Sequence, residues 1–191
     1  MQSVYFIDLE KGSALPELEI PSISRVDIVR YIAASGEIHP IYFDDDFARS
    51  TGKQGAIVPG SLVMSHVSRL VSDWLDDTVI QSFSLHQTKL LRPEDKLVCR
   101  GVVVDLNQQD AVGNVEVDVW AENGRGETVA KGRISMVVPY SKDKPIDTVR
   151  YNGRNSPAVA SNDWLARSPS VEERNAKGLI FRRVGEDVTG S

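Results

Sequence analysis

The chain carries a single cysteine, Cys99. One thiol cannot close a disulfide within the chain, and without further Cys or His at ligand spacing it lacks the company a zinc site needs. Set in an alternating apolar segment, it reads as a small core residue. Histidine is nearly as scarce, and of the three only His39 stands in a motif, so His66 and His86 read as surface or satisfied core residues. There is no basic block and no interleaving of aromatic with basic residues, and the formal net charge is −5. Nucleic-acid binding is therefore not expected. No apolar run is long enough to span a bilayer, and Met1-Gln2-Ser3-Val4 lacks a basic segment followed by an apolar stretch. A cytoplasmic protein with no membrane contact is expected. Internal repeats are also lacking.

What is present centres on residues 59–75. Val63, Val67, Leu70, Val71 and Trp74 recur at the spacing of one helical face, and Ser61, Ser65, Ser68 and Ser72 form a second stripe of small residues. The pattern predicts a core helix with an apolar side and a close-approach side, long enough at roughly 1.5 Å per residue to cross a small domain. Pro59-Gly60 opens it, leaving a first turn of free N–H groups at the positive end of the helix dipole.

Upstream, Leu15-Pro16-Glu17-Leu18-Glu19-Ile20-Pro21 reads as an extended edge segment, limited by its prolines. Ser24 caps a short helix in which Val26, Val29, Ile32 and Ala33 repeat, and Ser35-Gly36 stops it. Glu37 to Phe43 follows through a proline-constrained turn, and Asp44-Asp45-Asp46 leads a short helix through Arg49. Successive side chains do not converge on a helix, so these aspartates read as capping residues, not a metal site. Downstream, Val79 to Leu91, Lys96 to Leu106, Val115 to Ala121 and Thr128 to Val138 are rich in Val, Thr, Leu and aromatics and read as strands. Their short connections predict an antiparallel meander and an α+β class with helices on one face. Residues 1–139 form the expected domain. Residues 140–191 read as a largely disordered extension, with docking on a partner subunit through Trp164, Leu165, Ile180 and Phe181 as the alternative.

Tyr31-Ile32-Ala33-Ala34-Ser35-Gly36-Glu37-Ile38-His39-Pro40-Ile41-Tyr42-Phe43 through Arg49, then Ile57-Val58-Pro59-Gly60-Ser61-Leu62-Val63-Met64, resembles the MaoC-like hotdog-fold hydratases and dehydratases. The likeness is closest to the (R)-specific enoyl-CoA hydratases and the mycolic-acid-type 3-hydroxyacyl-ACP dehydratases. It covers residues 15–138, including Leu91-Arg92-Pro93-Glu94-Asp95-Lys96-Leu97, where the family has Pro-Gly-Asp before a strand. The resemblance implies an antiparallel sheet wrapped around a long central helix. It also implies chemistry on acyl thioesters carried by CoA or acyl carrier protein, with no other cofactor and no metal. A homodimer, or a heterodimer with another MaoC-like subunit, is implied as well.

Family members carry Ser-Gly-Asp-x-Asn-Pro-x-His, whose Asp and His bind one water. By this resemblance the Asp falls on Glu37, the Asn on His39, the Pro on Pro40 and the His on Tyr42, while the His before the helix glycine is Pro59. Other hotdog dehydratases hold a Glu on the helix where this chain has Ser65. Adding water across a conjugated thioester needs a base for water and an acid for carbon on one face. The implied roles are Glu37 as base, Tyr42 and His39 positioning water or donating a proton, Gly60 offering its N–H to the thioester oxygen, and Ser61 and Ser65 lining the substrate site. The expected activity is hydration of trans-2-enoyl thioesters or dehydration of (R)-3-hydroxyacyl thioesters. The alternative is a non-catalytic acyl-binding subunit of a heteromeric dehydratase.

Overall fold

The apolar stripe of the central segment folds as helix α3, Gly60–Trp74, which buries Leu62, Val63, Val67, Leu70 and Val71. Each such side chain contributes about 1.5–3 kcal/mol of transfer free energy. Trp74 is only partly buried, and Leu62 takes the core position at the other end of the stripe. The serine stripe is divided: Ser61 and Ser68 are half-buried, whereas Ser65 and Ser72 are exposed and turn their hydroxyls onto the carbonyls of Leu62 (2.7 Å) and Arg69 (3.3 Å). The sheet packs against the apolar side of α3 alone. This computed structural model describes residues 4–75, 77–109 and 112–143. The sequence expectations for 144–191 lie outside them.

Helix α1, Arg25–Ser35, begins at a reciprocal cap in which Ser24 Oγ accepts from the Asp27 amide at 3.1 Å and the Asp27 carboxylate accepts from the Ser24 amide at 3.1 Å. It ends at Gly36, whose φ of 74° is left-handed backbone that suits glycine. Its buried face differs from the expected one. Ile28 and Ile32, one turn apart, enter the core, whereas Val26 and Val29 are 57% and 49% exposed. Helix α2, Asp45–Ser50, gives each aspartate of the triplet its own task. Asp44 caps the amides of Asp46 and Phe47, Asp45 holds Arg25 and the Ala56 amide, and Asp46 pairs with Arg49.

Five strands form one antiparallel sheet: β1 (Leu18–Ile20), β2 (Val79–Gln87), β3 (Leu97–Gln109), β4 (Val112–Asn123) and β5 (Thr128–Pro139). Their spatial order is β1-β3-β4-β5-β2. The expected meander holds for β3, β4 and β5 but not for β2, which crosses to the far edge and pairs with β5, setting Phe83 opposite Ile134 and Leu85 opposite Gly132. The connection after β2 is anchored instead of folding into a hairpin. Leu91 is fully buried and its carbonyl accepts from the Val58 amide at 2.8 Å, and Ile23 exchanges backbone bonds with Glu94 and Asp95.

Alternation along β4 turns Val115, Val117, Val119 and Ala121 into the core beside α3. The opposite face of the sheet is ionic: Arg133 lies between Asp118 (2.6 Å) and Glu116 (3.5 Å), and Arg100 between Glu122 (2.7 Å) and Glu17 (2.8 Å). Cys99 is fully buried, as its sequence context predicts, and burial pushes its thiol up to about 12. β2 approaches β5 most closely at Gly132, where an added Cβ would sit 2.0 Å from the Ser84 carbonyl oxygen and 2.9 Å from Leu85 Cα. Both atoms are backbone and cannot swing away. Gly132→Ala is therefore expected to splay β2 from β5 and cost about 1–3 kcal/mol, read as a lower urea midpoint with faster amide exchange confined to these two strands.

Candidate active site

Gly36 ends α1 and releases Glu37 into a loop that Pro40 tightens into a 3-10 turn over Pro40–Tyr42. His39 caps that turn: its Nδ1 accepts from the Ile41 amide at 3.2 Å. The turn brings the Tyr42 hydroxyl back onto Glu37, donating to Oε1 at 2.6 Å. From the other side, the Ser61 hydroxyl in the first turn of α3 donates to Glu37 Oε2 at 2.5 Å. The loop and the start of α3 are joined along the backbone as well, because the Ile57 amide donates to the Ile41 carbonyl at 3.2 Å.

The carboxylate thus spans two elements that are remote in sequence, each oxygen holding one hydroxyl. These bonds, first from Ser61 and then from Tyr42, favour the charged form and hold Glu37 below its ordinary 4.5 against the opposing effect of desolvation. For Tyr42 the effect runs the other way. Burial, then the bond to Glu37 and its charge, push the phenol up to about 12, so it remains a proton donor throughout the neutral range. Each carboxylate oxygen keeps further lone-pair capacity, enough to accept a bond from a water.

The sequence-expected site residues separate into two groups. Glu37, Tyr42 and Ser61 meet directly. His39 lies alongside, its ring edge-on to Tyr42 (6.2 Å between centroids) and to Phe47 (5.5 Å), without a hydrogen bond to Glu37. Gly60 is the first residue of α3, and its N-cap Pro59 offers no side-chain acceptor to the first-turn amides. Ser65 sits one turn further along the helix and donates its hydroxyl to the Leu62 carbonyl, with no bond to the carboxylate.

Sequence reasoning missed Gln87. Its side-chain oxygen lies 2.6 Å from where a Gly60 Cβ would stand, and its Nε2 donates to the Lys89 carbonyl at 3.1 Å. It closes one side of the start of α3. No local motif marks this residue, since the last position of a strand becomes a neighbour of Gly60 only through the fold. The site is open in the single chain, with Ile38 67% and Phe43 46% exposed beside Glu37. Among the described residues no helix is long and apolar enough to cross a membrane.

Comparison with known proteins gives this arrangement its context. The MaoC like domain model matches residues 12–124. A mitochondrial 3-hydroxyacyl-[acyl-carrier-protein] dehydratase of Arabidopsis thaliana is 35% identical over 78 residues, which is 41% of this chain and 46% of that protein. The match thus spans about half the length of that relative. Among solved structures, the R-hydratase PhaJ1 from Pseudomonas aeruginosa has a TM-score of 0.65 at 21% identity, covering 73% of this chain and 88% of that one. A chain of the ChsH1-ChsH2 complex from Mycobacterium tuberculosis has a TM-score of 0.60 at 23% identity, covering 68% and 98%. At such identities these two establish the shared hotdog fold, a helix wrapped by an antiparallel sheet. With its family model matched over residues 12–124, which hold α3 and strands β1 to β4, the chain belongs to the MaoC-like domain family.

Proposed function

We propose that this chain is a hydro-lyase that adds water to a trans-2-enoyl thioester or removes it from an (R)-3-hydroxyacyl thioester. The observation that carries the reading is the Glu37 carboxylate, held by Ser61 and Tyr42 at the N-terminal end of α3. In the hydration direction Glu37 takes a proton from water as the water oxygen bonds to C3. The C2–C3 π electrons then move toward the carbonyl, leaving an enolate oxygen at the Gly60 end of the helix, where amide donors and the dipole stabilise negative charge. The proton is returned to C2 from Glu37, now the acid, and one water has been added. The balance needs no cofactor beyond the thioester carrier. Tyr42 orients the carboxylate and the attacking water, and His39 supports the turn that presents Tyr42.

Ser61 acts here as a positioning residue. Ser61→Ala removes the largest influence favouring the Glu37 anion, so the acid limb of the kcat/KM profile is expected to move to higher pH. A merely structural role for the hydroxyl would lower activity without moving that limb. The function itself is tested by following loss of the enoyl absorbance of crotonyl-CoA with the purified full chain.

A second reading is favoured by the same bonds. Two hydroxyls on Glu37 weaken it as a base, and a Tyr42 phenol near 12 takes no proton at neutral pH. A non-catalytic acyl-binding subunit, paired with an intact MaoC-like protein, fits those facts. A dimer of either kind is supported by the edge position of β2 and by the exposed Ile38, Phe43 and Phe47 around the site. An inactive chain that gains crotonyl-CoA hydration only when co-expressed with such a partner would favour this reading over the first. A cytoplasmic setting accords with either.

A further inference from the structure

A cleft of about 280 Å³ opens beside the site, with Lys53 and Gln54 on one wall and Ile57, Leu90 and Arg92 on the other. Gly52 and Gly55 complete it, both at positive φ (83° and 149°), so the Lys53-Gln54 tip projects from a tight turn. Two cations line this cleft with no acid to answer them, whereas most cations of the described surface are paired, Lys131 and Lys142 being the other exceptions. Between Lys11 and Arg125 every other lysine and arginine has a carboxylate oxygen within 4.0 Å. Lys53 and Arg92 have none among the described residues, and no carboxylate lines the cleft. The Arg92 guanidinium is steadied by a neutral partner, the Gln54 side-chain oxygen, which fixes its direction without cancelling its charge.

Both walls lead to the active site. Ile57 is three residues from Gly60 and its amide is bonded to Ile41, the neighbour of Tyr42. Leu90 follows three residues after Gln87, which closes the start of α3. A three-residue span reaches no further than about 11 Å. An anion seated between Lys53 and Arg92 is therefore joined to the Glu37 site by a path that a flexible arm can follow, with Ile57 and Leu90 offering apolar contact on the way.

We propose that the Lys53–Arg92 cleft seats the phosphate of the phosphopantetheine arm that carries the acyl group. This rests on the acyl-thioester reading above but not on turnover. The arm phosphate at the mouth is recognised by two cations with no carboxylate partner of their own, and the guanidinium offers it a directional pair of donors.

The test is equilibrium binding to the full chain by calorimetry, comparing crotonyl-phosphopantetheine with crotonyl-pantetheine, which lacks only the phosphate. The phosphorylated ligand is expected to bind roughly tenfold or more tightly per charge-assisted contact, with the advantage shrinking as salt is raised. In Lys53→Gln and Arg92→Gln, each checked for an unchanged unfolding transition, the ratio of the two affinities should fall toward one. Lys131→Gln, which alters a cation on β5 that does not line the cleft, should keep the wild-type ratio. Crotonyl-CoA and crotonyl-acyl carrier protein present the same arm phosphate from different sources; a loss in the cleft variants with either carrier supports the proposal, and a loss with neither overturns it. Equal wild-type affinity for the two pantetheine ligands overturns it too. A chain that fails to hydrate crotonyl-CoA yet keeps the ratio removes the enzymatic reading alone. One that hydrates crotonyl-CoA with a ratio unmoved in both variants removes the cleft alone.

Discussion

Glu37→Gln is expected to lower kcat/KM for crotonyl-CoA by about 10²- to 10⁴-fold, the range a single general acid–base group supplies. KM should change little, because the amide keeps the volume, its oxygen still accepts from one of the two hydroxyls that hold Glu37, and its NH2 can donate to the other once that hydroxyl rotates. The proton-accepting step alone is removed. Tyr42→Phe should cost less, since it deletes an orienting donor but leaves the carboxylate. The pH profile of the unaltered chain sharpens the test. Glu37 lies below 4.5 and Tyr42 is near 12, so the pair stays anion and phenol between those limits. The kcat/KM should therefore hold level through the neutral range and fall only as acid protonates Glu37. A rise in activity on acidification, or a Glu37→Gln variant as fast as the parent, would mean that proton transfer happens elsewhere.

Val67→Asp should be the most damaging change to the fold. Val67 is fully buried on the core face of α3 among other aliphatic residues, with no cation in that cluster to pair an introduced carboxylate. Burying an unpaired charge costs more than about 4 kcal/mol, against a total stability of about 5–15 kcal/mol. The variant is expected to lose its cooperative urea transition near pH 7. Its pH dependence should also invert. Desolvation raises such an aspartate, so the variant is least unstable where the group is protonated and worsens as pH rises through the raised value. The native carboxylate of Glu127 behaves oppositely. Hydrogen bonds from Lys89 and Asn123 hold it at about 2, so its contribution is present above the ordinary carboxylate range and disappears as acid approaches that value. Circular dichroism across pH 2–8 would separate the two trends, and a Val67→Asp protein that unfolds cooperatively with the parent midpoint would contradict the packing described here.

Much of this architecture is legible in the residues themselves, and the exceptions have physical causes. The period of Val63, Val67, Leu70 and Val71 fixes α3 because only one helical face can follow it into a core. On α1 the same reasoning finds Ile32 but misses Ile28 and takes in Val26, Val29 and Ala33, which are exposed. Valine and isoleucine both read as apolar, and only the packing decides that Ile28 and Ile32 are covered and Val26 and Val29 are not. The strands β3, β4 and β5 follow from alternation and short turns. The position of β2 does not, since connection length says nothing about the backbone anchors at Ile23 and Val58 that carry the chain across. At the site, the pairing of Glu37 with Tyr42 is implied by the family resemblance, and the Pro40 turn is what returns one side chain to the other. That Ser61 would grip the second oxygen is not legible in the sequence, because it depends on how the first turn of α3 is docked against the loop. Gln87 is harder still, arriving from the end of an edge strand.

The charged face of the sheet has a consequence for life at high concentration. Strands of 12 and 13 residues, rich in valine, are the kind of segment that stacks flat against copies of itself. Arg133 and Arg100, each clasped by two acids, place alternating ionic rungs across three neighbouring strands, so a second sheet approaching from outside would have to strip water from all of them at once. These rungs act as gatekeepers that keep a valine-rich ribbon dispersed, and their removal should appear first as turbidity rather than as lost catalysis.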